Sequence, residues 1–140
     1  MQGSQYAQEE NRKPFDYDPA SVDMLFITHA HIDHIGRIPK LVRDGFKGII
    51  YSTPETKELA RLMLEDAVKI IEMESKETGK EPLYFDTHVR EAFSLWQTIP
   101  YHQEKKVGED FSVYLSDAGH VLGSAVIKLT HDGKNVVFCG

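Results

Sequence analysis

Thr28-His29-Ala30-His31-Ile32-Asp33-His34 places three histidines and a carboxylate within six positions, directly after the apolar run Met24-Leu25-Phe26-Ile27. These are metal-ligand types. Imidazole nitrogen and carboxylate oxygen suit zinc and similar divalent ions, and a catalytic zinc keeps one coordination position for water. Side chains alternate along an extended segment, so His29 and His31 project to the same side and can grip one ion as a pair. Asp33 and His34 follow where the chain turns towards Gly36, which re-aims them together at a second ion. Two ions about 3.5–4 Å apart can share a bridging hydroxide, the usual hydrolytic nucleophile of such sites.

A third imidazole is available in Ser116-Asp117-Ala118-Gly119-His120-Val121-Leu122-Gly123-Ser124-Ala125. By itself a histidine between glycines is more often a turn residue than a ligand. His120, however, follows a second strand-like segment, Phe111 to Leu115, and Gly119 and Gly123 allow close backbone approach to a crowded site. It would complete the pair His29 and His31. A polar loop with coincidental histidines is the plainer alternative, and it leaves four of the chain's seven histidines without a purpose.

The H-x-H-x-D-H run from His29 to His34 resembles the signature of the metallo-β-lactamase fold, and A-G-H-V-L-G-S-A, Ala118 to Ala125, resembles the matching motif of its RNA-processing branch. That branch is the β-CASP group, which includes the mRNA 3′-end endonuclease of cleavage and polyadenylation factor and the RNase J type enzymes. The first motif is shared with glyoxalase II, lactonases and other hydrolases, so it specifies fold and metal but not substrate. The second is narrower. Met1-Gln2-Gly3 also resembles the end of the glycine-rich segment that precedes the first motif in such proteins. The resemblance implies an α/β fold, the αββα sandwich, in which His29, His31 and His120 hold one zinc and Asp33 and His34 hold the other. It further implies that Asp33 orients the nucleophile and that the intact protein cleaves single-stranded RNA.

Two departures limit what residues 1–140 should do alone. In the family, the strand resembling Asn135-Val136-Val137-Phe138-Cys139-Gly140 is followed by an aspartate that bridges both metals, and then by the inserted β-CASP domain. The expectation is one incomplete metallo-β-lactamase domain over residues 1–140, without the first strands and everything after Gly140, with the β-CASP domain absent. Such a piece should hold one zinc or fewer firmly and be inactive by itself. Its open sheet edges should favour self-association, because an unpaired strand edge is a template for another chain.

Composition agrees with a folded domain. At 140 residues the chain can form one core but falls short of the roughly 200 or more that a two-layered metallohydrolase needs. A hydrophobic content of 41% and a charged content of 27% argue against disorder. The net charge of −6 does not advertise nucleic-acid binding, although bound dications would add local positive charge. The single cysteine, Cys139, excludes an internal disulfide and reads as a small buried strand residue. No apolar stretch is long enough for a signal peptide or membrane span, so a cytoplasmic location is expected.

The elements that must position the motifs follow from punctuation and periodicity. Residues 4–18 are polar, with Pro14 and Pro19 as breakers, and read as a loop or flexible arm. Met24 to Ile27 reads as a buried strand, Gly36 to Asp44 as a short helix stopped by Gly45, and Gly48 to Tyr51 as a second strand, which makes a βαβ-like unit with a parallel neighbour. Thr53 is an N-cap before Pro54 and Glu55, and the spacing of Leu59, Met63, Ala67, Ile70 and Ile71, beside Ala60, Leu64 and Val68, predicts a helix to about Ser75 with Met63 and Met73 as core filler. Asp86 opens another helix whose Val89, Ala92, Phe93 and Trp96 share a face. Strands are expected at Thr98 to Tyr101, Phe111 to Leu115, Ala125 to Thr130 and Asn135 to Phe138, the last two joined by a tight Asp132-Gly133 hairpin. His88, His102 and His131 are assigned to solvent-facing structure.

Three functions suit these residues. RNA phosphodiester hydrolysis by a two-zinc site leads. The same fold and metal acting on a small thioester or lactone comes second, with the A-G-H-V-L-G-S-A motif weighing against it. The third is a non-catalytic subunit that keeps the fold for RNA or partner binding. The five intact candidate ligands argue against it for the parent protein.

Overall fold

The computed structural model describes residues 5–140, with side chains from Glu9 onward. The Met1-Gln2-Gly3 resemblance lies outside the described residues. Three strands, β1 (Met24–Phe26), β2 (Ile49–Ser52) and β3 (Trp96–Thr98), form a parallel sheet in that order. Parallel pairing needs crossovers, and helices supply them: α3 (Ile38–Arg43) between β1 and β2, then α4 (Pro54–Thr78) and α5 (Asp86–Ser94) between β2 and β3. Strand alternation divides the sheet's side chains between two cores. Leu25, Ile50 and Trp96 join Ile35, Leu41, Phe46, Ala60, Leu64 and Val89 on the helix side. Met24, Phe26, Ile49 and Tyr51 pack from the other face on Val113, Leu115 and Ile127.

Those last residues belong to a second sheet of four antiparallel strands, β4 (Glu104–Val107), β5 (Phe111–Asp117), β6 (Ala125–His131) and β7 (Lys134–Cys139), in chain order. The fold is α/β, and the described residues supply three layers of the expected αββα sandwich, helices on one sheet and that sheet on the other. The β6–β7 hairpin turns on Asp132 (φ 48°) and Gly133 (φ 71°), the double left-handed geometry that a two-residue turn between right-twisting strands favours.

Several expectations shift, each for a local reason. Residues 5–12 of the segment read as an arm form a helix, α1 (Gln5–Arg12), rich in the straight-chain residues that lose little freedom in a helix. The segment is also tied down. The Arg12 guanidinium donates to the Glu81 carbonyl at 2.6 Å, Arg37 donates to the Lys13 carbonyl at 3.0 Å, and Phe15 lies beneath both Arg37 and Lys40. The helix expected over 36–44 is two pieces, α2 (Ile32–Ile35) and α3, so helix begins inside the histidine motif itself. β3 starts at Trp96, earlier than Thr98, because the Trp96 indole N–H donates to Ser52 Oγ at 2.8 Å and its ring stacks on Phe93. β4 escaped notice because Glu104, Lys105 and Lys106 are charged, as suits a sheet edge.

Burial overturns two side-chain expectations. On α4, capped by Thr53 and ended by Gly79 at φ 67°, the buried stripe is Thr56, Ala60, Leu64 and Val68. Met63 lies off the edge of that stripe and Met73 nearly on the opposite face, and both are exposed, so they are not core filler. Cys139 is also exposed, not buried, because both faces of β7 are open among the described residues.

Leu64 is 0% exposed and Leu62, two residues earlier on the same helix, is 65% exposed. Leu64→Ala should therefore cost about 2–5 kcal/mol of unfolding free energy, and Leu62→Ala about 0.5 kcal/mol or less. Urea denaturation of the two variants beside the parent chain measures this, and equal losses would contradict the described rotation of α4.

Candidate metal centre

Two loops meet at the ends of the two sheets. Beyond β1 the chain bends at Thr28 yet stays bonded to both sheets: the Ile27 N–H donates to the Tyr51 carbonyl at 2.9 Å, and the Thr28 carbonyl accepts from the Ala125 N–H at 2.8 Å. That second bond joins the segment leaving the parallel sheet to the first residue of β6. His29 follows at 3% exposure, its Nδ1 3.0 Å from Thr28 Oγ1. With the proton on Nδ1 the ring donates to that hydroxyl and leaves the Nε2 lone pair free to bind. His31 is the N-cap residue of α2, and its carbonyl accepts from the His34 and Ile35 N–H groups at 2.9 and 3.1 Å.

The second loop carries His120 and is held by buried polar groups. Ser124 Oγ accepts from the His120 N–H at 3.1 Å and from the Val121 N–H at 3.2 Å, while the Ser124 carbonyl accepts from the Tyr101 hydroxyl at 2.6 Å. Gly123 sits at φ 81°, and a Cβ there would come within 2.5 Å of the Thr56 nitrogen. Only glycine satisfies both the backbone conformation and that approach. Thr53 reads in the sequence as a helix cap, Thr28 and Ser124 as motif members and Tyr101 as a strand end, and their supporting hydrogen bonds, like those of Thr56, carry no periodic signal.

The loops bring His29, His31 and His120 together, with ligand-capable atoms all within 4.8 Å of one another. His120 Nε2 and His31 Nδ1 lie 3.2 Å apart. Nitrogens about 2.0–2.1 Å from one tetrahedral zinc lie about 3.4 Å from each other, so this pair already has the spacing of two ligands on a shared ion. The rings of His29 and His31, and of His29 and His120, stand edge to face with centroids 4.8 and 4.9 Å apart. The three-imidazole set fits a divalent ion.

Asp33 and His34 lie beside this group rather than in it. They occupy the first turn of α2, not a turn leaving a strand, and both are exposed. The His34 ring centroid is 4.0 Å from that of His29, and His34 Nε2 is 3.8 Å from Asp33 Oδ2. His88, His102 and His131 are elsewhere. His88 is half-buried and its Nδ1 accepts the Phe85 N–H at 3.0 Å, while His102 and His131 are exposed.

Burial, followed by the neighbouring His34, His31 and His120, lowers the pKa of His29 below its ordinary 6.5, with Asp33 acting weakly in the other direction. A second positive charge is disfavoured among four crowded rings. His29 therefore keeps its lone pair to lower pH than a free histidine does.

The chain is 36% identical over 140 residues to the ribonuclease TTHA0252 of Thermus thermophilus, 37% over 120 residues to the transcription termination factor FttA of Thermococcus kodakarensis, and 33% over 130 residues to the endoribonuclease YSH1 of Kluyveromyces lactis. These alignments take in 100%, 85% and 89% of this chain but 30%, 18% and 17% of the relatives, so it spans less than a third of each. The metallo-β-lactamase superfamily domain matches residues 2–140, and the chain belongs to that superfamily.

Proposed function

We propose that residues 1–140 are the metal-holding part of a zinc-dependent ribonuclease of the β-CASP type, with His29, His31 and His120 on one zinc and Asp33 and His34 on a second. The observation that carries this reading is the meeting of His29, His31 and His120 from two separate loops. The ribonuclease and endoribonuclease among the relatives support RNA as the substrate of the whole protein, and the single-stranded form is our reading. When bound, zinc acidifies a water and offsets charge on a phosphodiester. The chain's own residues do the placing. His29 is fixed from below by Thr28, His31 is aimed by the start of α2, and His120 is held by Ser124. Asp33, exposed at the rim, orients the nucleophile and accepts its proton through a carboxylate oxygen. A cytoplasmic location fits a chain with one unpaired cysteine, in which no described helix is long and apolar enough to cross a membrane.

Three imidazoles converge, whereas Asp33 and His34 offer only two exposed groups, so one zinc should bind firmly and the second weakly. Elemental analysis after dialysis should return about one equivalent, and His31→Ala or His120→Ala should weaken binding by at least about tenfold in a zinc titration. Protons compete for the same lone pairs, so affinity should fall as the pH is lowered. The metal-free fold should lose stability in the same direction. The unfolded chain takes up a proton at His29 as the pH falls through 6.5, while the folded chain, with its lowered pKa, resists, so the His29 contribution is present above 6.5 and lost below it.

On labelled single-stranded RNA the 140 residues alone should show no measurable cleavage, because each tenfold of rate needs about 1.4 kcal/mol and a weakly held second ion forfeits several such factors. The longer protein that contains them should cleave in a zinc-dependent way, and its His31→Ala and Asp33→Ala variants should not. Hydrolysis of a thioester or lactone with no action on RNA would replace the nuclease reading with the small-molecule one.

We also assign a self-pairing tendency to β7, whose Val136, Val137 and Phe138 are each more than half exposed. Light scattering over a concentration series should show association, and a monomer at every concentration would refute it.

A further inference from the structure

The His120 loop is gripped from beneath by a helix that contributes no ligand. Thr53 Oγ1 donates to the Gly123 carbonyl at 2.7 Å, and Thr56 Oγ1 donates to the same oxygen at 2.8 Å. A carbonyl has two lone pairs, so this acceptor is saturated by two side chains far away in sequence. Both threonines are 0% exposed. Thr53 Oγ1 also accepts from the Thr56 N–H at 3.2 Å, which locks the first turn of α4 and the two hydroxyls into one unit. Ordinary N-capping uses only that last bond. The two bonds to Gly123 are additional, and they reach a backbone that is three residues from His120 and adjacent to Ser124, whose Oγ accepts from the His120 N–H.

We propose that Thr53 and Thr56 are positioning residues for the metal site: their paired hydroxyls fix Gly123 and, through Ser124, hold His120 Nε2 opposite His31 Nδ1 before any ion arrives. This rests on reading the three histidines as a metal centre. The physical reason is preorganisation. A loop that had to find this conformation on binding would spend part of the interaction on its own ordering, and the groups that orient metal ligands typically change affinity by about 10–100-fold when removed. Loop and helix lie 67–70 residues apart in sequence, so the Gly123 anchor is a long-range tie added to the loop's local bonds to Ser124.

Thr56 separates this role from capping, because its hydroxyl bonds Gly123 while the α4 cap belongs to Thr53. Cobalt alone serves as the probe, since its ligand-field absorption reports the number and arrangement of nitrogen ligands. Thr56→Val, close in shape and lacking the hydroxyl, should weaken cobalt binding at least about tenfold and change the absorption of the bound ion, whereas Thr56→Ser should restore both. Thr56→Ala serves where the valine variant does not fold. Leu64→Ala, which loosens the same helix two turns further on, should leave cobalt affinity unchanged. If the parent chain binds cobalt and Thr56→Val and Thr56→Ala bind it equally well, the positioning role is refuted while the metal centre stands. If the parent chain binds no cobalt, the metal-centre reading falls and this role falls with it. Equal weakening by Leu64→Ala would reduce Thr56 to general stability and also overturn the proposal.

Discussion

One backbone hydrogen bond, from the Ala125 N–H to the Thr28 carbonyl, brings the two halves of the site together. Thr28 precedes His29 on the segment leaving the parallel sheet, and Ala125 opens β6 of the antiparallel sheet immediately after the His120 loop. The bond therefore helps set the distance between His31 and His120, which are 89 residues apart in sequence. Neither sheet alone could do this. The parallel sheet fixes Thr28 through β2, where Ile27 reaches the Tyr51 carbonyl, and the antiparallel sheet fixes Ala125 through its pairing with Asp117. The inter-sheet core of Phe26, Tyr51, Leu115 and Ile127 then keeps the sheets pressed together behind the bond.

The site was largely legible in the sequence because its chemistry is concentrated. His29, His31 and His120 were identified as one set from ligand type and spacing, and the structure brings all three into one group. Strand alternation alone does not account for His29 and His31, because β1 ends at Phe26 and the chain bends at Thr28 before them. Asp33 and His34 were harder. Their placement on α2 depends on a helix beginning at Ile32, and a four-residue helix has too few residues to show a periodicity.

What escaped the sequence falls into two physical classes. Sheet edges such as β4 are charged for the very reason that they are edges, so a search for apolar alternation passes over them. Burial along α4 failed for another reason. A helix with apolar residues on two adjacent stripes does not say which stripe faces the sheet, and the choice of Ala60, Leu64 and Val68 over Met63 and Met73 is made by tertiary packing. The supporting hydroxyls combine both difficulties: Thr53, Thr56 and Ser124 are buried where polar residues are unexpected, and their partners are distant in sequence.

The three-histidine group stands out in a chain of net charge −6 because its candidate ligands are neutral. Neutral imidazoles compensate none of a dication's charge, so an ion held by these three would keep its outward field, save for what the exposed Asp33 carboxylate beside them offsets. A carboxylate-built site would cancel that field at its source. The lowered pKa of His29 serves the same end, because the ring that is deepest in the site resists a proton that would repel the ion.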